Sequence, residues 1–304
     1  MRAMRLRVLV IVCTLAFGGL AATAAGRSTH PANVNWPAFL PAMSSTAAIQ
    51  PGKVPFCRKA TARCVDEQVK RMKRAQRDFR CDHRAVFATT YLELTRQYRS
   101  DLSAGMRDQL MDVKYLYREV AVFANVYFET LRRWKRGLEV PPAWRIALET
   151  ARDGEVNAAQ DMLLGINAHV QNDMPFVIAA LGLRTKDGRS RKADHDLVNE
   201  VLDRAYDRVV GEVTARYDPF VATSNAPWSP GDDVLGLEMV KEWREVVWRN
   251  AERLVNATSD EERRAIAEDI RTRAADWARG MASVQTPGDR ERRDSYCASR
   301  LGGR

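Results

Sequence analysis

The sequence has no run of alternating apolar and polar residues, and it has no Asn-Gly turn. Sandwiches and barrels built from hairpins are therefore excluded. It also lacks G-x-S-x-G, a Walker loop and a dinucleotide-binding glycine pattern, which removes nucleophile-elbow hydrolases and the common nucleotide-binding folds. Cysteine is scarce and never spaced C-x-x-C, so a zinc ribbon is not available. The whole chain has 4 histidines, too few in its main body for a trinuclear metal site. No internal repeat is present.

What is present begins with a leader. Arg2, Arg5 and Arg7 precede the apolar run Val8 to Ala22, and Ala22-Thr23-Ala24 has the A-x-A form of a cleavage site. Residues 1–25 read as a secretory signal peptide. No later stretch is long enough to span a bilayer. The expected location is secreted or in the cell envelope, with envelope contact as the expected partnership. Without its three arginines the formal net charge falls from +9 to +6. Acidic and basic residues are interleaved nearly everywhere, as in Asp260-Glu261-Glu262-Arg263-Arg264, the pattern of a solvated helix surface with i,i+4 pairing. The one basic cluster with an aromatic, Arg132-Arg133-Trp134-Lys135-Arg136, places Trp134 on the apolar stripe of its own helix, so no nucleic-acid partner is expected.

Removing the leader leaves Cys57, Cys64, Cys81 and Cys297. An even number in an exported chain predicts two disulfides. Continuous helix from Cys64 to Cys81 would separate those two by roughly 25 Å at ~1.5 Å per residue, beyond the ~7 Å between Cα atoms that a disulfide tolerates. Cys57–Cys64 with Cys81–Cys297 is the favoured pairing.

Residues 26–56 carry five prolines and form an extended arm. Residues 57–297 form one all-α, bundle-like domain of about seven helices, followed by a flexible tail at 298–304. Helical periodicity runs from Cys64 to Tyr98, with a kink near Cys81-Asp82. It returns at Leu116–Trp134, in a short helix opened by Pro141-Pro142, and in a central helix from Asn157 to Leu181. It continues through Lys192–Tyr217, Val234–Val255 and Glu261–Met281. Val65, Val69, Met72 and Phe79 share one stripe; Ile266, Ile270 and Trp277 share another. Pro175 interrupts the central helix, because it lacks an N–H and clashes with the carbonyl of Gln171.

The central helix and the next one carry the candidate chemistry. His169 and Asp173 are four apart on one face, flanked by Asn167 and Asn172. Asp194-His195-Asp196 with Asn199 opens the following helix, where Asp194 reads as ordinary N-capping. Asp82-His83 is a third candidate, and Glu93 and Glu129 are carboxylates in apolar stretches. Two readings follow. In one, His169, Asp173 and His195 bind one divalent metal such as zinc, Asp194 or Asp196 is the base, and Asn167 orients substrate, giving a metal-assisted hydrolase of phosphoesters or lipids. In the other, the same groups form a buried polar lock in a non-catalytic envelope or binding protein. The second is slightly favoured.

The segments Cys81–Phe87, Val122–Phe128, Leu163–Phe176 and Ser190–Asn199 resemble, in order, the signatures of the bacterial family catalogued as domain of unknown function 5995. The resemblance covers about Cys57 to Cys297 and implies an exported helical protein with no assigned activity. Gly165-x3-His169-x3-Asp173-x-Pro175 is also similar to a helix of the zinc-dependent phospholipase C and single-strand nuclease group. That likeness implies metal ligation by His169 and Asp173. The histidine expected after the proline is replaced by Phe176, Val177 and Ile178.

Overall fold

A computed structural model describes residues 56–223, 232–284 and 287–301, with backbone alone at 223 and 232–235. The leader, most of the proline-rich arm and residues 302–304 lie outside the described residues. The helices are α1 (Ala62–Phe79), α2 (Arg84–Ser100), α3 (Val113–Lys135), α4 (Pro142–Asp153), α5 (Ala158–Asn167) and α6 (Met174–Leu181). They continue with α7 (Lys192–Arg216), α8 (Phe220–Thr223), α9 (Asp232–Asn256), α10 (Asp260–Ala282) and α11 (Asp289–Leu301). Among the described residues there is no strand, only an isolated bridge between Arg184 and Ser190 in the loop after α6. The fold is all-α.

The helices are more numerous than the seven expected, and each difference has a local cause. The first expected helix is two. Arg80 closes α1 at φ 53°, Cys81 is drawn into a disulfide, and the Asp82 carboxylate restarts the chain by accepting from the Arg84 backbone N–H at 2.9 Å. The stretch Asp101–Gly105 widens into a π-turn before a 3-10 turn at Arg107–Gln109. A final helix, α11, runs through Leu301, so residues 298–301 of the expected tail are helical.

Termini elsewhere follow their sequence signals. Pro142 opens α4, and Gly154 ends it in the left-handed conformation at φ 63°, the usual Pro-start, Gly-stop asymmetry. Asn157 and Gln160 form a reciprocal capping box at the start of α5, satisfying two otherwise orphaned N–H groups.

Helix α2 lies against α1, α5 and α7, while α10 lies against α4, α5 and α9. Phe87, Leu92, Leu116, Phe123, Trp144, Leu164, Ile178 and Trp248 form the main core between them. Trp243, Val247 and Leu254 are buried along α9 as the stripe requires. On α10 the buried face is Ile266, Ile270, Ala274 and Ala278; Trp277 is 38% exposed, with its ring edge-on to Trp243.

Disulfides join Cys57 to Cys64 and Cys81 to Cys297, the favoured pairs. The second fastens α11 to the start of α2. No helix among the described residues is long and apolar enough to cross a membrane.

Candidate functional site

The central helix is interrupted ahead of Pro175 and restarts at Met174, with the proline in its first turn. Between α5 and α6 the backbone widens into a π-helical turn, Ala168–Asp173. One extra residue per turn accommodates the missing N–H and the ring of Pro175. This turn faces α10, α9 and α4 and carries the central polar groups.

Asp173 is buried and accepts three hydrogen bonds. Its Oδ2 accepts from Trp144 Nε1 at 2.8 Å and from His169 Nδ1 at 2.9 Å, and its Oδ1 accepts from Asn172 Nδ2 at 2.6 Å. A carboxylate only accepts, so the bond assigns the His169 proton to Nδ1. Nε2 keeps its lone pair and is buried without a hydrogen-bond partner. Burial holds the His169 pKa below its ordinary value, against the opposing pull of Asp173. The neutral ring stacks on Phe123 at 3.5 Å with 3° between planes, and Tyr91 packs against it at 4.7 Å. Asn167 donates to the carbonyl of Ala274 at 2.8 Å and accepts from Gln171, which fixes the turn against α10.

His195 belongs to a different contact. Its Nε2 donates to the backbone carbonyl of Arg244 at 3.0 Å, and Arg244 Nη2 donates back to the His195 carbonyl at 2.5 Å. This reciprocal clasp joins α7 to α9. Burial first, and then the Arg244 charge, lower the His195 pKa well below the usual range.

Asp194 does not cap its own helix. Its two oxygens accept from the backbone N–H groups of Met111 and Asp112 at 2.9 and 3.0 Å, tying α7 to the start of α3. Asp196 pairs with Lys192 at 2.5 Å. His83, the third candidate, is buried between Asp161 at 2.5 Å and Asp294 at 3.1 Å. Glu93 is buried against Arg96, whereas Glu129 is half-exposed and paired with Arg132.

His169, Asp173 and His195 are thus not brought together as a ligand set. No group of three or more His, Cys, Asp or Glu side chains among the described residues is placed to hold a metal ion. Asp194, Asp196 and Asn167, expected to serve that centre as base and orienting group, are each engaged elsewhere in holding helices or pairing with lysine. The expected metal centre divides into separate structural contacts, because His195 is engaged with the Arg244 backbone on α9 while His169 is engaged with Asp173.

Beside His169 and Arg244 lies a cavity that the sequence did not indicate. It measures about 310 Å³ and is bounded by α2, α3, the α5–α6 segment, α7 and α9. Its wall is overwhelmingly apolar, with Phe87, Leu94, Phe123, Val198, Val201 and Val240 among the lining residues. Leu94, Met162, Leu163, Val170 and Leu202 are half-buried, so this side of the cavity approaches the surface. The few polar groups on the wall are His169, Tyr91, Tyr98, Glu119, Arg244, Tyr206 and two threonines.

The hydroxyls of Tyr91 and Tyr98 are buried without hydrogen-bond partners. Burial pushes the Glu119 pKa up to about 7, against the attraction of the Arg244 charge. Glu119 and Arg244 were missed in the sequence. The signal available was register: Glu119 is four from Tyr115 and Phe123 on α3, and Arg244 is four from Val240 and Trp248 on α9.

Residues 65–284 match the family described as Family of unknown function (DUF5995). The chain belongs to that family. The match takes in the π-turn, the cavity and the His195–Arg244 clasp, and stops short of Cys297. No curated protein and no solved structure matches the chain. Family membership therefore brings no assigned activity to these residues, and the reading of the site rests on its own chemistry.

Proposed function

We propose that this protein is an exported, non-catalytic binding protein of the cell envelope or its surroundings, and that its core cavity receives a small apolar molecule. The observation that carries the reading is the apolar cavity of about 310 Å³ beside the π-turn. An apolar guest that covers this wall gains roughly 25 cal/mol for each Å² of apolar surface taken from water.

The export part of the reading rests on the leader at residues 1–25 and on two disulfides, which persist in oxidising compartments. The non-catalytic part rests on the polar groups. Asp173, Asp194 and Asn167 are each satisfied by structural partners.

The test uses N-phenyl-1-naphthylamine, which fluoresces in apolar surroundings. Titration into the purified protein should give a saturable signal with one site. Leu202→Trp, on the half-buried side of the cavity, should abolish most of that signal while leaving the far-ultraviolet circular dichroism unchanged. A signal that rises without saturation, or one indifferent to Leu202→Trp, removes the binding reading.

A further inference from the structure

The binding reading leaves the chemistry of the guest open, and the polar groups on the cavity wall narrow it. We propose that the cavity selects an uncharged amphiphile bearing a hydroxyl group, with the hydroxyl donating to His169 Nε2 and accepting from a tyrosine hydroxyl. This rests on the cavity being a ligand site and adds the kind of headgroup it takes.

The argument starts from the tautomer. Asp173 fixes the proton on His169 Nδ1 at 2.9 Å, so the imidazole of this lining residue has only an acceptor left to offer. That acceptor, Nε2, is buried and unpartnered, as are the hydroxyls of Tyr91 and Tyr98. The Tyr91 ring lies 4.7 Å from the imidazole. An unmade bond to a buried polar atom costs about 1–3 kcal/mol. A guest hydroxyl satisfies both kinds of group at once, because it donates one proton and accepts through its lone pairs.

An ether or a ketone can accept from tyrosine but leaves Nε2 bare. A carboxylate places a second acceptor against Nε2 and a negative charge near Glu119. Arg244 Nε is committed to Asn199 Oδ1 at 2.8 Å and its Nη2 to the His195 carbonyl, which leaves Nη1, donating to Met174 Sδ at 3.7 Å, as its one group for an anion and the reason decanoate is included in the comparison. Size sets the rest of the molecule. About 310 Å³ lies at the small end of the ~300–1,000 Å³ range of small-molecule pockets, which suits a guest the size of a ten-carbon chain or a small aromatic amine.

The experiment compares three guests of nearly equal length on the disulfide-bonded protein: decan-1-ol, methyl nonyl ether and decanoate. Dissociation constants are read by displacement of N-phenyl-1-naphthylamine. Decan-1-ol is expected to bind about 3- to 10-fold more tightly than the ether, the worth of one net hydrogen bond, with decanoate weakest. His169→Phe keeps a ring to stack on Phe123 and removes the acceptor. In that variant the alcohol-to-ether ratio should fall to near one while the ether's affinity holds.

Equal binding of alcohol and ether by the unmutated protein leaves the ligand site standing and overturns the hydroxyl inference. Tightest binding by decanoate overturns it in favour of an anion site at Arg244. Displacement by none of the three, together with no saturable dye binding, overturns both readings. The comparison on the unmutated protein decides the matter even if His169→Phe fails to fold.

Discussion

Glu119 lines the cavity, and burial there decides its ionisation. In an unfolded chain its carboxyl titrates near the usual 4.5, while burial in the folded protein raises this to about 7. Tyr115, Arg191, Arg244 and Asp194 are the other charged or titratable groups that influence it. A raised acid pKa means that the folded state holds the proton more tightly. Stability is therefore undiminished below 4.5 and falls as pH rises through about 7, by about 3 kcal/mol if the whole difference is realised. Glu119→Gln, which cannot ionise, should match the native protein in urea unfolding at about pH 4 and exceed its stability by up to about 3 kcal/mol at about pH 8. A stability difference that does not change with pH would contradict this account. The same residue shows what was legible at this scale. His169 and Asp173 were found because i,i+4 spacing on an apolar helix is a local pattern. The groups that complete their contact were not, since Trp144 reaches Asp173 from another helix, 29 positions away. Asp194 looked like a cap because an aspartate at a helix start usually is one. Its actual partners, the N–H groups of Met111 and Asp112, lie over 80 residues earlier.

Helix α5 crosses α2 closely because Gly165 has no side chain. A Cβ at that position would overlap the ring of Phe87, and Phe87 also packs edge-on to Tyr127, Trp144 and His169. Gly165→Ala should therefore destabilise by about 1–3 kcal/mol through overpacking, although alanine is the better helix former. Gly211, on the exposed face of α7, has nothing within 4 Å of its absent Cβ. Gly211→Ala should stabilise by about 0.5–1 kcal/mol. Thermal unfolding of the two variants side by side isolates the packing effect, and equal responses would refute it. Helices with an apolar stripe, such as α3 and α7, were readable from their period. Helix α11 was not, because its buried positions are Asp289, Arg293 and Cys297. These are spaced four apart, yet two are charged and the third is a disulfide partner, so hydrophobic periodicity is blind to them. The π-turn was half legible: Pro175 required a disruption, but its form, a widened turn packed against α4, α9 and α10, depends on those neighbours.

At the scale of the molecule, the all-α class followed from periodicity, and helix length excluded one of the three cysteine pairings. The cavity followed from neither, because five separate segments must converge before it exists. The two disulfides act on the unfolded chain over very different distances: Cys57–Cys64 closes a loop of separation 7, and Cys81–Cys297 one of separation 216. In the chain-entropy account the stabilisation grows with the logarithm of loop length, giving about 2 kcal/mol for the short loop and about 5 kcal/mol for the long one. Cys297 is also fully buried, in a small cluster with Val86, Val210, Val213 and Tyr217, so losing its bridge loosens α11 from α2 and α7 as well. Replacing Cys81 and Cys297 together by alanine should lower the guanidinium midpoint at least twice as far as replacing Cys57 and Cys64 together. Equal losses, or a larger loss from the short loop, would show that these crosslinks act through native-state packing and not through the entropy of the unfolded chain.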